Sequence, residues 1–348
     1  MIELLKNLIE IESISGNEQK LLAFLESELE KLFPKKVSNL DQNLLVTLDS
    51  NNPGPTILFC SHIDTVPVTS GWTKDPFKAT LEGQIDGTKI FGLGANDALA
   101  SVVSMIYAAD AQKNKIAKGK VLLCFVREEE RGMDGFCAIE KLLPRYDFGI
   151  FGEPTELNIG YCMRGSIHAR VRVHGQSCHA SRPWEGKNAI YELGRVLNAL
   201  ENLPLKDNSP WGRATVEPTI VKGGTAENQL PDLIELTLDI RPTFEINNEK
   251  ILKMLSDLEL DFTVKTDRRK AMMCDKESPL VKAIQKVRPK SELYAFGGSC
   301  DMAFSTAPSI VMGPGQSKRS HSADEYIMVE ELEDAVKTFA NVIAAMNS

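Results

Sequence analysis

Short apolar runs that each close on a polar, metal-capable residue recur five times along this 348-residue chain. Thr56-Ile57-Leu58-Phe59-Cys60 runs into Ser61-His62-Ile63-Asp64, and Val121-Leu122-Leu123-Cys124-Phe125-Val126 runs into Glu128-Glu129-Glu130. Phe148-Gly149-Ile150-Phe151 leads to Gly152-Glu153-Pro154, and Ser309-Ile310-Val311-Met312 passes through Gly313-Pro314-Gly315 to His321. Ile90-Phe91 opens a glycine loop, Gly92-Leu93-Gly94-Ala95-Asn96, that ends at Asp97. The continuous runs predict buried strands. Leucines and Phe24 at helical spacing predict an amphipathic helix from Glu18 to Phe33, stopped by Pro34. Leu44 to Leu48 reads as a strand, and Ala98 to Ala109 as a helix of small and apolar residues. This alternation predicts an α/β domain with a mixed, largely parallel sheet covered by helices.

The pattern changes after Gly165. Ile167, Ala169, Val171 and Val173 alternate with His168, Arg170, Arg172 and His174, the mark of a half-solvated strand. A helix over Lys187–Leu203, strands over Thr215–Val221 and Leu233–Ile240, a helix over Asn247–Leu258 and a strand over Asp261–Lys265 follow. The order β-α-β-β-α-β is a ferredoxin-like unit. Strand–helix alternation resumes after about residue 274, so the expected organisation is an inserted α+β lid, residues 165–272, between two parts of a catalytic domain, 1–164 and 273–348.

Composition narrows the function. A content of 43% hydrophobic and 25% charged residues is that of an ordinary globular protein, and a net charge of −8 argues against nucleic acid or an anionic membrane as partner. No apolar run approaches ~18 residues. The start Met1-Ile2-Glu3-Leu4-Leu5-Lys6 carries acids and a helical pattern, unlike a secretory leader. Seven cysteines, with no Cys-x-x-Cys pair, read as reduced core thiols in a cytoplasmic protein.

Carboxyl ends of strands in an open α/β sheet line one crevice. Two imidazoles and several carboxylates meeting there would make a borderline-hard site suited to two zinc ions. His62 and Asp64, two apart on an extended segment, point the same way, so the carboxylate can orient the ring. Asp97 precedes a helix and could serve as a plain N-cap. It could equally bridge two ions, one oxygen each. The Gly92-x-Gly94 loop lacks the third glycine of a dinucleotide fingerprint. Among Glu128, Glu129 and Glu130, a solvated loop is the bland expectation. Adjacent acids nevertheless allow one to hold metal while its neighbour takes a proton from the attacking water. A thiol hydrolase using Cys162 or Cys300, or a non-catalytic binding protein, are the rival classes.

In this order, His-x-Asp, Gly-x-Gly-x-x-Asp, Glu-Glu-x-Gly, Gly-Glu-Pro-Thr and a late His, the chain resembles the dinuclear zinc aminoacylase and carboxypeptidase superfamily, most closely its acetylornithine deacetylase branch. The likeness covers essentially the whole chain. It implies His62 and Glu153 on one zinc, Asp97 bridging, Glu130 and His321 on the second, Glu129 as general acid/base, and Asp64 orienting His62. The frame among the three glutamates rests on Glu129-Glu130-Arg131-Gly132-Met133-Asp134-Gly135. His179, in Ser177-Cys178-His179-Ala180, matches the lid histidine that reaches a neighbouring subunit's site and steadies the oxyanion. Asn228 and Arg241 match substrate contacts, Arg241 through a bidentate carboxylate grip. His168 and His174 match no motif.

The resemblance implies hydrolysis of the amide of a small N-acyl amino acid, N-acetylornithine or N-succinylornithine, to ornithine in arginine biosynthesis. It also implies two Zn2+ as cofactors, with Co2+ or Mn2+ as substitutes, and a homodimer formed through the lid. A dipeptidase or a succinyl-diaminopimelate desuccinylase is the nearest alternative. Ala98-Leu99-Ala100 after the aspartate departs from many relatives, and the acyl pocket stays open.

Overall fold

A computed structural model describes residues 1–83 and 87–348. The strand Thr56–His62 is buried at every position, so the sheet it centres is covered on both faces. It runs parallel to Lys120–Val126 on one side and Phe148–Phe151 on the other. Ser309–Val311 continues the parallel set beyond Phe148–Phe151. Antiparallel strands flank this centre, Asn43–Asp49 against Lys120–Val126 and Ile159–Met163 against Ser309–Val311. The sheet is therefore mixed and largely parallel, as the alternation of elements predicts.

Helices supply the cover. Gln19–Leu32 turns Leu21, Leu22, Leu25 and Leu29 inward, within a turn's end of the predicted Glu18–Phe33. Leu99–Gln112 is buried over most of its surface, and its small residues Ala100, Ser101, Ser104 and Ala108 admit neighbours closely. Phe339 of the last helix, Val329–Asn347, meets Phe59 of the central strand edge-on, ring centroids 5.7 Å apart. Burying such aromatic pairs contributes about 1 kcal/mol beyond the area itself.

The Ile90-Phe91 run departs from the expectation that all five runs share one sheet. Lys89–Phe91 instead lies between Thr80–Glu82 and Tyr326–Met328 in a small antiparallel sheet. Pairing with Tyr326–Met328 draws the glycine loop that ends at Asp97 beside the loop that carries His321.

The chain divides into two compact units, residues 1–162 with 273–296 and 300–348, and residues 163–272 with 297–299. Within the second, Ser166–His174, Ala189–Glu201, Thr215–Gly223, Leu233–Arg241, Asn248–Asp257 and Asp261–Arg269 follow in the predicted β-α-β-β-α-β order. Their four strands form one antiparallel sheet with Thr215–Gly223 and Asp261–Arg269 at its edges. Ile167, Ala169, Val171, Leu236 and Leu238 bury one face. His168 and His174 stand on the other, where His174 meets Asp261 at 2.7 Å. Among the described residues, no helix is long and apolar enough to cross a membrane, and all seven cysteines are free.

Candidate metal centre

His62 ends the central strand and is 1% exposed. Its Nδ1 lies 2.9 Å from the carbonyl oxygen of Asp64 and 3.5 Å from the Asp64 carboxylate. Those acceptors hold the ring proton on Nδ1 and turn Nε2 toward the interior of the site. There Nε2 meets Asp97 Oδ1 at 3.2 Å and Glu153 Oε1 at 4.0 Å. The other Asp97 oxygen, Oδ2, lies 3.7 Å from His321 Nε2, which in turn sits 2.8 Å from Glu130 Oε1. One carboxylate thus faces two imidazoles with one oxygen each. Three overlapping sets have ligand atoms within 4.8 Å of one another: His62, Asp97 and Glu153; Asp97, Glu130 and His321; His62, Glu129 and Glu130. The third set puts the Glu129 carboxylate in reach of the same centre.

Asp97 does not cap the following helix, whose N-cap is Ala98 without a side-chain bond. Glu128 falls outside the cluster because its carboxylate pairs with Arg127. Its backbone adopts φ 55°, the left-handed conformation, and the short helix Glu129–Gly132 starts directly after it. The turn presents Glu129, buried, and Glu130, half-buried, to the centre.

The electrostatics are those of crowded acids, and Asp97, Glu130 and Glu153 each pair with a histidine. Burial, then the Asp97 charge, pushes Glu153 well above the carboxylate range. Burial, then Glu153, does the same to Glu129. For His62 burial opposes the charged ring, but the carboxylates of Asp64 and Asp97 outweigh it and raise its pKa well above the ordinary value. The hydrogen bond that His321 donates to Glu130 is the main cause that lifts its pKa to about 9. Two imidazoles and four carboxylates packed this closely suit divalent cations of borderline hardness, whose charge would offset the repulsion. Burial pushes the thiol of Cys162 up to about 11, and that of Cys300 well above its usual value, so neither offers a ready thiolate.

A residue that the sequence pattern did not reveal holds the glycine loop. Glu325, 2% exposed, accepts the backbone N–H groups of Asn96 at 2.8 Å, Asp97 at 2.9 Å and Gly94 at 3.2 Å. Gly94 takes φ +80° there, which favours glycine. Asn96 ties the same loop to the next, its amide bonding the backbone of Gln316 and the hydroxyl of Ser320. Replacing Glu325 with Gln would set an amide NH2 against at least one of the three donors, whichever way it flips. We expect a destabilisation of roughly 2 kcal/mol, read as a lower midpoint in chemical denaturation; an unchanged midpoint would show that the loop does not depend on this carboxylate.

The remaining candidates lie in the second unit. His179 is exposed, and its Nδ1 accepts from the N–H of Ser181 at 3.1 Å, which leaves the proton of the neutral ring on Nε2 as a donor. Asn228 is exposed, and its backbone carbonyl accepts from Ala180 N–H at 2.9 Å. The guanidinium of Arg241 is gripped in bidentate fashion by Asp239, at 2.7 and 2.9 Å.

The sequence profile of Peptidase family M20/M25/M40 matches residues 58–345. A peptidase M20 domain-containing protein of Schizosaccharomyces pombe is 29% identical over 364 residues, spanning 99% of this chain and 84% of its own. The acetylornithine deacetylase of Proteus mirabilis is 28% identical over 380 residues, spanning 98% and 95%. Among solved structures, a tripeptidase of Staphylococcus aureus superposes with a TM-score of 0.80 at 20% identity, over 100% of this chain and 98% of that one.

Proposed function

The chain belongs to Peptidase family M20/M25/M40, and from that premise we propose that it is a metal-dependent amidohydrolase that frees ornithine from N-acetylornithine or N-succinylornithine. Members of the family are hydrolases of peptidase or deacylase type, typically with a dinuclear metal centre. One observation carries the reading: Asp97 stands between His62 and His321 with a separate oxygen toward each. His62 and Glu153 would hold one cation, Glu130 and His321 the other, and Asp97 both. When bound, two Zn2+ ions polarise the scissile carbonyl and make water more acidic. Glu129 takes a proton from the attacking water and passes it to the departing amine. Asp64 keeps His62 in one tautomer. In the second unit, taken as the lid over residues 165–272, His179 Nε2–H serves as oxyanion donor, and Asn228 and Arg241 as substrate contacts. Arg241 would exchange Asp239 for a substrate carboxylate. The free thiols support a reducing, cytoplasmic setting.

Competing N-acetylornithine, N-succinylornithine and a dipeptide in one chelator-controlled assay, with elemental analysis of the protein, tests this reading. Faster turnover of either acylornithine, lost on chelation, is the expected result. Preference for the dipeptide would overturn the substrate assignment, and gently purified protein that neither contains nor takes up divalent metal would overturn the reaction.

A homodimer through the second unit has its own support. Ile190, Tyr191 and Leu197 of the helix Ala189–Glu201 are exposed, Tyr191 at 79%. Ile220 and Val221 are exposed on the edge strand Thr215–Gly223, whose outer backbone groups have no ladder partner in the described sheet. An apolar helix face beside an open strand edge fits a second copy of itself. Tyr191→Glu combined with Ile220→Glu should shift sedimentation from dimer to monomer; a wild-type monomer at the same concentration would refute it.

A further inference from the structure

The loop Ser13–Glu18 precedes the helix Gln19–Leu32 and lies ahead of the family match, which begins at residue 58. Backbone pairing fastens it to the segment after His62: Ser15 N–H donates to Thr65 O, and Thr65 N–H to Ser13 O, both at 3.0 Å. From this base two side chains reach the turn of three acids. Ser15 Oγ donates to Asp64 Oδ2 at 2.6 Å. Asp64 in turn accepts the backbone N–H of Glu129 on Oδ1 at 3.0 Å and that of Glu130 on Oδ2 at 3.1 Å. Glu18, 3% exposed, accepts the backbone N–H of Glu128 at 3.2 Å and of Gly16 at 2.9 Å. Three successive N–H groups therefore end on two buried carboxylates. The loop provides one of these and steadies the other.

The arrangement explains how a left-handed residue persists at Glu128, φ 55°. A non-glycine residue keeps that conformation only where its surroundings hold it. The next two residues are the ones whose side chains enter the cluster. We propose that Ser15 and Glu18 are positioning residues, a clamp that sets the proton-transferring carboxylate of Glu129 and the metal-facing carboxylate of Glu130; the proposal rests on the reading of the site given above. Neither residue need touch substrate or metal. Ser15 acts through Asp64, and Glu18 through the Glu128 N–H.

The hydrogen bonds specify which substitutions should matter. Both N–H groups that reach Glu18 converge on the same oxygen, Oε1. Glu18→Gln retains an acceptor there and Glu18→Ala removes it. Ser15→Thr keeps the hydroxyl and Ser15→Ala deletes it. The four variants and wild type are compared by Co2+ titration, followed by visible absorption, and by steady-state kinetics on N-acetylornithine and N-succinylornithine. For the alanine variants we expect kcat to fall about tenfold with little change in KM, and the second equivalent of Co2+ to bind about tenfold more weakly than in wild type. The threonine and glutamine variants should stay within about threefold of wild type. Ser15→Ala is the gentler deletion and decides the matter if Glu18→Ala does not fold. Alanine variants that match wild type in both readouts would overturn the clamp, as would a loss confined to KM or conservative variants as impaired as the deletions. Wild type that takes up no Co2+ would instead overturn the metal-site reading, and the clamp with it.

Discussion

Glu129→Gln should cut turnover roughly a thousandfold, the scale of a general acid–base contribution, while the protein keeps its full complement of metal. Glutamine has the same shape and fills the same buried position, and the backbone N–H of residue 129 still meets Asp64. What disappears is the capacity to carry a proton from water to the leaving amine. The result is diagnostic because the ligand atoms of His62, Glu129 and Glu130 also lie close enough to share a cation. If Glu129 were a ligand, the amide variant would lose metal as well as activity. Glu128→Gln is the control for a frame shifted by one residue: its carboxylate is spent on Arg127, so near-normal turnover is expected. Elemental analysis beside single-turnover kinetics separates the outcomes. Retained activity in Glu129→Gln would remove this residue from the mechanism.

Much of the fold was legible because strong periodicity leaves few choices. The strand runs around Phe59, Leu123 and Ile150 could only be buried on both faces, and the alternation from Ile167 to His174 could only be half-solvated. The gathering of His62, Asp97, Glu130, Glu153 and His321 was legible only through the family resemblance that the motif order carries, since spacing alone left each of them a bland alternative. Other features were hidden because they depend on partners far along the chain. Glu325 stands 228 residues from Asp97, whose N–H it accepts, and in sequence it is one more acid in a polar loop. Glu18 looks like the first residue of an amphipathic helix, yet its carboxylate serves the backbone at Glu128, 110 residues away. The Lys89–Phe91 strand misled because its companion, Tyr326–Met328, is too short to announce itself by periodicity. The grip of Asp239 on Arg241 could have been anticipated, since residues two apart on a strand share a face.

Asp97→Asn should leave the chain able to hold one divalent cation but not two, with turnover lower by roughly a thousandfold or more, as loss of several kcal/mol of Lewis-acid stabilisation implies. The substitution keeps volume and shape in a cluster with little room, and the backbone N–H of residue 97 remains bonded to Glu325. Only one oxygen changes, to an NH2 group that donates and repels a cation. Because Oδ1 faces His62 and Oδ2 faces His321, an amide can serve one side only, whichever way it flips. Asp97→Glu is the complementary test, since it restores both oxygens but pushes them outward by a methylene between two imidazoles, and we expect weak recovery at most. Metal stoichiometry by elemental analysis, with calorimetric titration of the metal-depleted protein, reads both variants. Two tightly held cations in Asp97→Asn would remove this carboxylate as the shared ligand. It would also leave His62 with Glu153, and His321 with Glu130, as two independent sites rather than one centre.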